Sequence, residues 1–151
     1  MLVCFDVDGT LADGAHRVHY WRQKPRNWDM FRSEIINDAP IQQICDIAKQ
    51  MSTTHDLIIC TGRGDDSRDV TTKWLHKNGI SFQKMYMRTE HDYRDDYIVK
   101  KELLDEIIDD YGQQPDLWFD DRPSVVKMLK ANGVFVADVY QKERRSIFSE
   151  I

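Results

Sequence analysis

Short apolar, β-prone runs alternate along the chain with stretches whose apolar residues repeat at helical spacing. Each run is apolar throughout, which is typical of strands buried on both faces, as in a parallel sheet. The five runs are residues 2–5, 57–60, 85–87, 117–119 and 134–136. This order of elements predicts an α/β fold, a doubly wound and mostly parallel sheet of five strands.

The helical stretches have recognisable ends. The apolar stripe of residues 41–51 follows Asp38, which we predict to be its N-cap because a short acidic side chain satisfies free backbone N–H groups. The next three helices are predicted to stop near Gly79, Gly112 and Gly133. Glycine tolerates the left-handed conformation with which many helices end.

The length of 151 residues suits one domain, and we expect residues 1–151 to form it. Residues 12–37 lie outside the strand–helix alternation and are predicted to be a small flap or helical insert. The charged tail, residues 141–151, is expected to be a surface helix or frayed.

No apolar run has membrane-spanning length, and the N-terminus does not resemble a signal peptide. The cysteines, Cys4, Cys45 and Cys60, are odd in number and widely spaced. They are expected to be reduced core residues of a cytoplasmic protein, not disulfides or a zinc site.

The net charge of −5 argues against bulk nucleic-acid binding, but the charge is uneven. Within residues 16–32 the cations Arg17, Arg22, Lys24, Arg26 and Arg32 are opposed only by Asp29. Tyr20, Trp21 and Trp28 are interleaved with them. Cations among aromatic rings suit a single nucleic-acid strand, whereas the alternative is an ordinary solvated face with core tryptophans.

Polar residues follow three of the predicted strands, at the edge of a parallel sheet where ligands bind. They are Asp6 and Asp8 after the first run, Thr61, Gly62 and Arg63 after the second, and Asp120 and Asp121 after the fourth. Lys100 precedes the apolar stripe of the third helix. Several carboxylates at one edge provide the oxygen ligands that a hard cation such as Mg²⁺ prefers.

Each of the two aspartate pairs also has a simpler interpretation. A calcium loop beginning at Asp6 would need an acid, a glycine and a glutamate where Thr10, Leu11 and Arg17 stand, so it is rejected. The pair Asp120-Asp121 alone is more typical of a turn and helix cap. Its place after an apolar strand favours a site instead.

Together these motifs resemble the four signatures of the haloacid dehalogenase (HAD) superfamily, in order and over nearly the whole chain. They are the run Phe5-Asp6-Val7-Asp8-Gly9-Thr10, then Thr61, Lys100 and Asp120-Asp121. The resemblance implies a Mg²⁺-dependent phosphatase in which Asp6 attacks phosphorus and Asp8 serves as general acid and base. Thr61 and Lys100 would contact the phosphoryl group.

The metal ligands implied by the same resemblance are Asp6, Asp8 and one or both of Asp120 and Asp121. In the superfamily the second aspartate of the first motif contributes its backbone carbonyl to the metal. Its carboxyl group is thereby left for proton transfer.

Helical spacing alone does not decide which lysine belongs to the third motif, because Lys100 and Lys101 are adjacent. The superfamily's local pattern, an apolar pair, lysine and then glutamate two residues later, selects Lys100. The family spacing of four residues from an acid to that lysine selects Asp96 over Asp95 as a supporting group.

Within the superfamily the chain is similar to the 3′-phosphatase domains of the bacteriophage polynucleotide kinase-phosphatase family. The similarity rests on residues 5–12, Arg17, residues 62–63 and 71–74, 94–100, 120–122 and 133–134. It implies that Arg17, Gly62 and Arg63 bind the substrate phosphate. The chain has no P-loop motif, so kinase activity is not expected from it.

Three functional hypotheses follow. The first is a polynucleotide 3′-phosphatase of nucleic-acid repair, with a phosphorylated nucleic-acid end or nucleotide as substrate. The second is a nucleotidase or other small-molecule phosphatase, which would use the same motifs. The third is a non-catalytic binding domain, which the complete motif set disfavours.

Overall fold

A computed structural model of the chain describes residues 1–142. Its strands are β1 (Leu2–Phe5), β2 (Ala12–Asp13), β3 (Ala39–Pro40), β4 (Asp56–Gly64), β5 (Met85–Arg88), β6 (Leu117–Asp120) and β7 (Val136–Asp138). Its helices are α1 (Val18–Arg22), α2 (Trp28–Ser33), α3 (Gln42–Ser52), α4 (Arg68–Lys77), α5 (Asp96–Tyr111) and α6 (Pro123–Ala131).

The main sheet has five parallel strands in the order β5-β4-β1-β6-β7, which confirms the predicted α/β fold. From β1 the chain proceeds outward through β4 and β5, then crosses back to β6 and continues to β7. The direction of winding therefore changes beside β1. Open α/β sheets bind ligands at such a point, beyond the carboxyl ends of the strands.

Alternate side chains of the strands enter two separate apolar cores. Phe5 and Ile59 face α3 and α4, where they share a buried cluster with Trp74. Cys4 and Ile58 face α5 and α6, in a second cluster. Because each strand is covered on both faces, its sequence is apolar throughout and does not alternate with polar residues.

The predicted helix ends are mostly confirmed. Gly79, Gly112 and Gly133 follow their helices with φ of 75°, 70° and 80°. The predicted cap of α3 is wrong, because Ile41 occupies the N-cap position. Asp38 lies farther upstream, and its buried side chain binds arginines instead.

The last strand begins later than predicted, at Val136 and not at Val134. The Val134 N–H donates to the carbonyl of Leu129 at 3.1 Å, so this residue still belongs to the turn that closes α6. Its side chain packs into the second core before the strand starts. Apolar character alone did not distinguish the buried turn from the strand.

Residues 12–37 contain α1, α2 and the two 3₁₀ turns Ala15–Arg17 and Glu34–Asn37. The antiparallel pair β2–β3 closes this insert, which is called the flap below. The Trp74 indole N–H donates to the Asp38 carbonyl at 2.8 Å and so ties the base of the flap to α4. The predicted tail lies mostly in residues 143–151, outside the described residues.

Cys4, Cys45 and Cys60 are buried free thiols. Among the helices of residues 1–142, none combines the length and the apolar character needed to cross a membrane.

Candidate active site

The polar residues predicted from the strand ends meet at the carboxyl edge of the sheet. Asp6 follows β1, and its backbone N–H donates to the carbonyl of Phe119 in β6 at 3.0 Å. This bond sets the two strand ends side by side. It thereby brings Asp6 close to Asp120, the last residue of β6.

The Asp6 carboxylate is buried and held at both oxygens. Lys100 Nζ donates to Oδ1 at 2.8 Å, and Thr10 Oγ1 donates to Oδ2 at 3.0 Å. Burial raises the pKa of Asp6 well above its ordinary value, and the Asp120 charge adds to the rise, although Lys100 opposes it. Burial and a neighbouring negative charge therefore both disfavour the ionised form of Asp6.

Asp6, Asp120 and Asp121 each offer a carboxylate oxygen, and these oxygens lie within 4.8 Å of one another. Asp120 Oδ2 accepts from Lys100 Nζ at 2.8 Å and from the Trp118 indole at 3.2 Å. Burial and the Asp120 charge raise the pKa of Asp121 to about 6. Three crowded carboxylates are a donor set that fits a hard divalent cation such as Mg²⁺.

A glycine is needed beside this cluster. Gly9 has φ of 79°, and a Cβ there would lie 2.0 Å from Asp121 Oδ2. Any side chain at position 9 would thus displace the carboxylate.

Of the two adjacent lysines, Lys100 reaches the carboxylates. Its side chain is 1% exposed, whereas Lys101 points outward and pairs with Asp105 at 2.6 Å. Burial lowers the pKa of Lys100, but the Asp120 and Asp6 carboxylates outweigh that effect, so its pKa lies well above the ordinary value. Lys100 is therefore a fixed positive charge.

The Asp8 carboxylate does not belong to the three-carboxylate cluster and contacts two arginines. Arg63 donates to it from Nε at 2.9 Å and from Nη2 at 2.7 Å, and Arg17 Nη2 lies 3.5 Å from Oδ1. Burial raises the pKa of Asp8, but the combined effect of Arg63 and Arg17 lowers it below the ordinary value. A role of Asp8 in metal binding stays a prediction.

Asp38 is a member of this network that sequence reasoning missed. It is buried, and its carboxylate accepts from Arg17 Nε at 2.8 Å and from Arg63 Nη2 at 3.0 Å. His16 Nε2 lies 2.8 Å from the same carboxylate. Asp38 therefore joins the arginine of the flap to the arginine of the sheet, and both of them contact Asp8.

Thr61, Gly62 and Arg63 form the irregular end of β4. The Arg63 N–H donates to Thr61 Oγ1 at 3.1 Å, which fixes the hydroxyl at the sheet edge. A Cβ on Gly62 would lie 2.0 Å from Asp96 Oδ1, so glycine allows the close approach of α5. Contact of these residues with a phosphate stays a prediction.

Arg88 is a second residue that was missed. Its Nε donates to the Gly62 carbonyl at 2.8 Å, and its Nη2 donates to Asp96 Oδ1 at 3.2 Å. Asp96 in turn lies 3.7 Å from Lys100 Nζ. The sequence did contain a signal for it, because Arg88 is a polar residue that directly follows the third predicted strand.

Arg17 was predicted to bind substrate phosphate, and its contacts are largely internal. Its side chain is fully buried and also donates to the Phe31 carbonyl at 3.2 Å. These contacts favour an action through Asp8, while direct contact with phosphate stays a prediction.

The arrangement of a buried aspartate, a lysine and an aspartate pair at the end of a parallel sheet is that of HAD hydrolases. The family model described as polynucleotide kinase PNKP phosphatase domain matches residues 1–143, and the chain belongs to that family of phosphatase domains. A comparison with curated proteins found no match.

Solved structures agree with this assignment. The chain is similar to a chain of the Pnkp1/Rnl/Hen1 RNA repair complex, with a TM-score of 0.79 and 28% identity, over 93% of this chain and 43% of that one. It thus spans less than half of that relative. A haloacid dehalogenase-like hydrolase from Streptococcus pneumoniae shares the fold, with a TM-score of 0.67 and 14% identity over 95% and 88%.

A class C acid phosphatase from Bacillus anthracis, solved with tungstate bound, also shares the fold. Its TM-score is 0.59 and its identity 15%, over 92% of this chain and 67% of that chain.

Replacing Asp38 with alanine should destabilise the protein, because two buried guanidinium groups lose a shared carboxylate. We expect the free energy of unfolding in urea to fall by about 3–5 kcal/mol. Turnover of an aryl phosphate by the folded fraction should also fall, since the two arginines that contact Asp8 lose the carboxylate that fixes them.

Asp29→Ala is the matched control, because Asp29 is an acid of the same flap whose side chain is 99% exposed. Its pairing with Arg32 should contribute less than about 1 kcal/mol. Equal losses in the two variants would show that Asp38 has no special role in holding the arginines.

Proposed function

We propose that this domain is a Mg²⁺-dependent phosphomonoesterase that forms an aspartyl-phosphate on Asp6 and removes 3′-phosphates from polynucleotide ends. The observation that carries the chemistry is the placement of Asp6. Its carboxylate is held by Lys100 and Thr10 beside two further carboxylates, at the sheet edge where substrates enter. Such a carboxylate is oriented for attack, and Lys100 together with a bound divalent cation would offset the negative charge around it.

The residues proposed to hold Mg²⁺ are Asp6, Asp120 and Asp121 through carboxylate oxygens and Asp8 through its backbone carbonyl. The first three are supported by their mutual distances. When bound, Mg²⁺ would neutralise negative charge on both the phosphoryl group and Asp6, which otherwise repel each other.

In the first step an oxygen of Asp6 attacks phosphorus, and the bond from phosphorus to the leaving oxygen breaks. Lys100 stabilises the charge of the phosphoryl oxygens, and the Thr61 hydroxyl donates a hydrogen bond to one of them. Asp8 gives its proton to the leaving oxygen, because an alkoxide is otherwise a poor leaving group.

In the second step water attacks the phosphorus of the aspartyl-phosphate, and Asp8 accepts a proton from that water. The bond between phosphorus and Asp6 breaks, which releases inorganic phosphate and restores the carboxylate. Arg63 and Arg17 favour the ionised form of Asp8 before substrate binds. A phosphate dianion beside the same arginines would offset their charge and so favour the protonated form that the first step needs.

The preference for 3′-ends is supported by family membership and by the likeness to a component of an RNA repair complex. The flap also contributes support, because its two helices have only five and six residues, and so small an insert suits a site that a macromolecular end can enter. We therefore propose a role in nucleic-acid repair. The buried free cysteines support a reducing compartment such as the cytoplasm.

Replacing Asp6 with asparagine should abolish hydrolysis of an aryl phosphate, because an amide is a poor nucleophile and a weaker metal ligand. Chelation of divalent cations should abolish the activity of the unaltered protein, and added Mg²⁺ should restore it. Asp105→Asn is the matched control, since Asp105 is an exposed acid on α5 that pairs with Lys101. Full activity of Asp6→Asn, or activity in excess chelator, would contradict the mechanism.

Replacing Asp8 with asparagine should slow the release of an alkyl leaving group more than that of an acidic phenol. A phenolate leaves without much help from a proton donor, so the first step depends less on Asp8. The measurement is the pre-steady-state burst of leaving group, because the second step also uses Asp8. If the substitution slows the burst equally for the alkyl and the phenol leaving group, Asp8 is not the general acid.

The domain should dephosphorylate an oligonucleotide with a 3′-phosphate at least about tenfold faster, in kcat/KM, than the same strand with a 5′-phosphate. One order of magnitude corresponds to about 1.4 kcal/mol of transition-state binding. Initial rates on the two strands and on the matching mononucleotides provide the test. Equal rates on 3′- and 5′-monophosphates would favour the nucleotidase hypothesis.

A further inference from the structure

Cations and aromatic rings of the flap form a continuous stack that starts at the candidate active site. The Arg17 guanidinium lies over the Phe31 ring at 4.4 Å, and that ring meets Trp28 edge-on at 5.9 Å. Arg26 follows, 5.8 Å from the Trp28 ring and 4.2 Å from the Trp21 ring. We call these five residues the flap stack.

The inner end of the flap stack touches the group that would protonate the leaving oxygen. Arg17 Nη2 lies 3.5 Å from Asp8 Oδ1, while Arg17 and Phe31 are both buried. In a 3′-phosphorylated strand the leaving oxygen belongs to the terminal sugar. The rest of the strand is therefore attached on the side of the phosphorus where Asp8 and the flap stack lie.

The outer end of the flap stack is accessible. Trp28 is 44% exposed, and together with Arg26 and Arg32 it lines a cavity of about 510 Å³. Arg32 also pairs with Asp66 at 3.4 Å, just beyond the end of β4, so the cavity adjoins the carboxyl edge of the sheet.

The cations at the outer end leave positive charge for a ligand. Arg32 forms ion pairs with both Asp29 and Asp66. Within residues 1–142 neither Lys24 nor Arg26 forms an ion pair with a carboxylate, and Arg26 instead lies between two indole rings and donates to the Trp21 carbonyl. Exposed indole and unneutralised guanidinium together match a base and a backbone phosphate.

We propose that the flap stack binds the nucleotides immediately 5′ of the terminal 3′-phosphate in a single strand, with a base on Trp28 and a phosphate at Arg26. This inference rests on the proposed function. Base stacking needs unpaired bases, so the occupant is a single-stranded end and not a duplex. Binding on the leaving-group side also explains why a protein of net charge −5 concentrates cations in this segment.

The test compares kcat/KM for 3′-phosphorylated strands from one to about eight nucleotides long. Each value is divided by kcat/KM for an aryl phosphate, so that damage to the catalytic centre cancels. In the unaltered protein the ratio should rise about tenfold or more over the first few nucleotides. Trp28→Ala and Arg26→Gln should each remove most of that rise, and Arg26→Gln should reduce the salt dependence by about one counterion.

The matched controls are Phe135→Ala and Lys130→Gln. Phe135 is 80% exposed and Lys130 is also exposed, but both precede β7, at the opposite edge of the sheet from the candidate site. In both variants the kcat/KM ratio should depend on strand length and on salt as it does in the unaltered protein. A ratio that does not depend on strand length, or equal losses in the control variants, would overturn the inference.

Binding of a single strand with a 3′-hydroxyl end separates this inference from the proposed function. Such a strand resembles the product and should bind Trp28→Ala and Arg26→Gln at least about fivefold more weakly than the unaltered protein, measured by fluorescence anisotropy. If binding follows this pattern but no 3′-phosphate is hydrolysed, the proposed function fails while the binding surface stands. If hydrolysis is specific for 3′-ends but the variants bind normally, the flap stack is not the binding surface.

Discussion

Lys100 lies between Asp6 and Asp120, and the rest of the site is arranged around this buried ion pairing. Burial of like charges costs free energy unless counter-charges are close. Asp8 and Asp38 meet that requirement with two arginines, so their network is balanced. Asp6, Asp120 and Asp121 face one ammonium group, and a divalent cation would bring that cluster to neutrality. The two networks thus separate the carboxyl group of the proposed proton donor from the carboxylates that are proposed to bind the metal.

Much of the fold follows from local sequence. Continuously apolar runs predict buried parallel strands, and the glycines after α4, α5 and α6 mark where the helices end. The sheet topology then brings Asp6, Thr61 and Asp120 to one edge, so that part of the site is also predictable. For Lys100 the decision needed a family pattern, because helical spacing alone left Lys101 equally acceptable.

Asp38 could not be identified in the same way, because its role depends on partners from distant elements. Arg88 follows a predicted strand and was a candidate by the same rule, but its partners could not be predicted. Asp38 has the local appearance of a helix cap, yet it lies 21 residues from Arg17 and 25 from Arg63 in the sequence. Its function exists only once the flap has folded back onto the sheet. Arg88 likewise binds a carbonyl of the neighbouring strand and a carboxylate of α5. The spacing of residues in the sequence does not predict contacts between such distant elements.

The buried arginine pair connects the flap to Asp8, the proposed proton donor. Arg63 belongs to the sheet and Arg17 to the flap, and both bind Asp38 and contact Asp8. Because interiors are closely packed, Arg17 cannot move without disturbing Phe31 and Asp38. The orientation of Asp8 is therefore coupled to the position of the flap. A strand bound at the outer end of the flap stack would thus contact the same segment that orients the proposed proton donor.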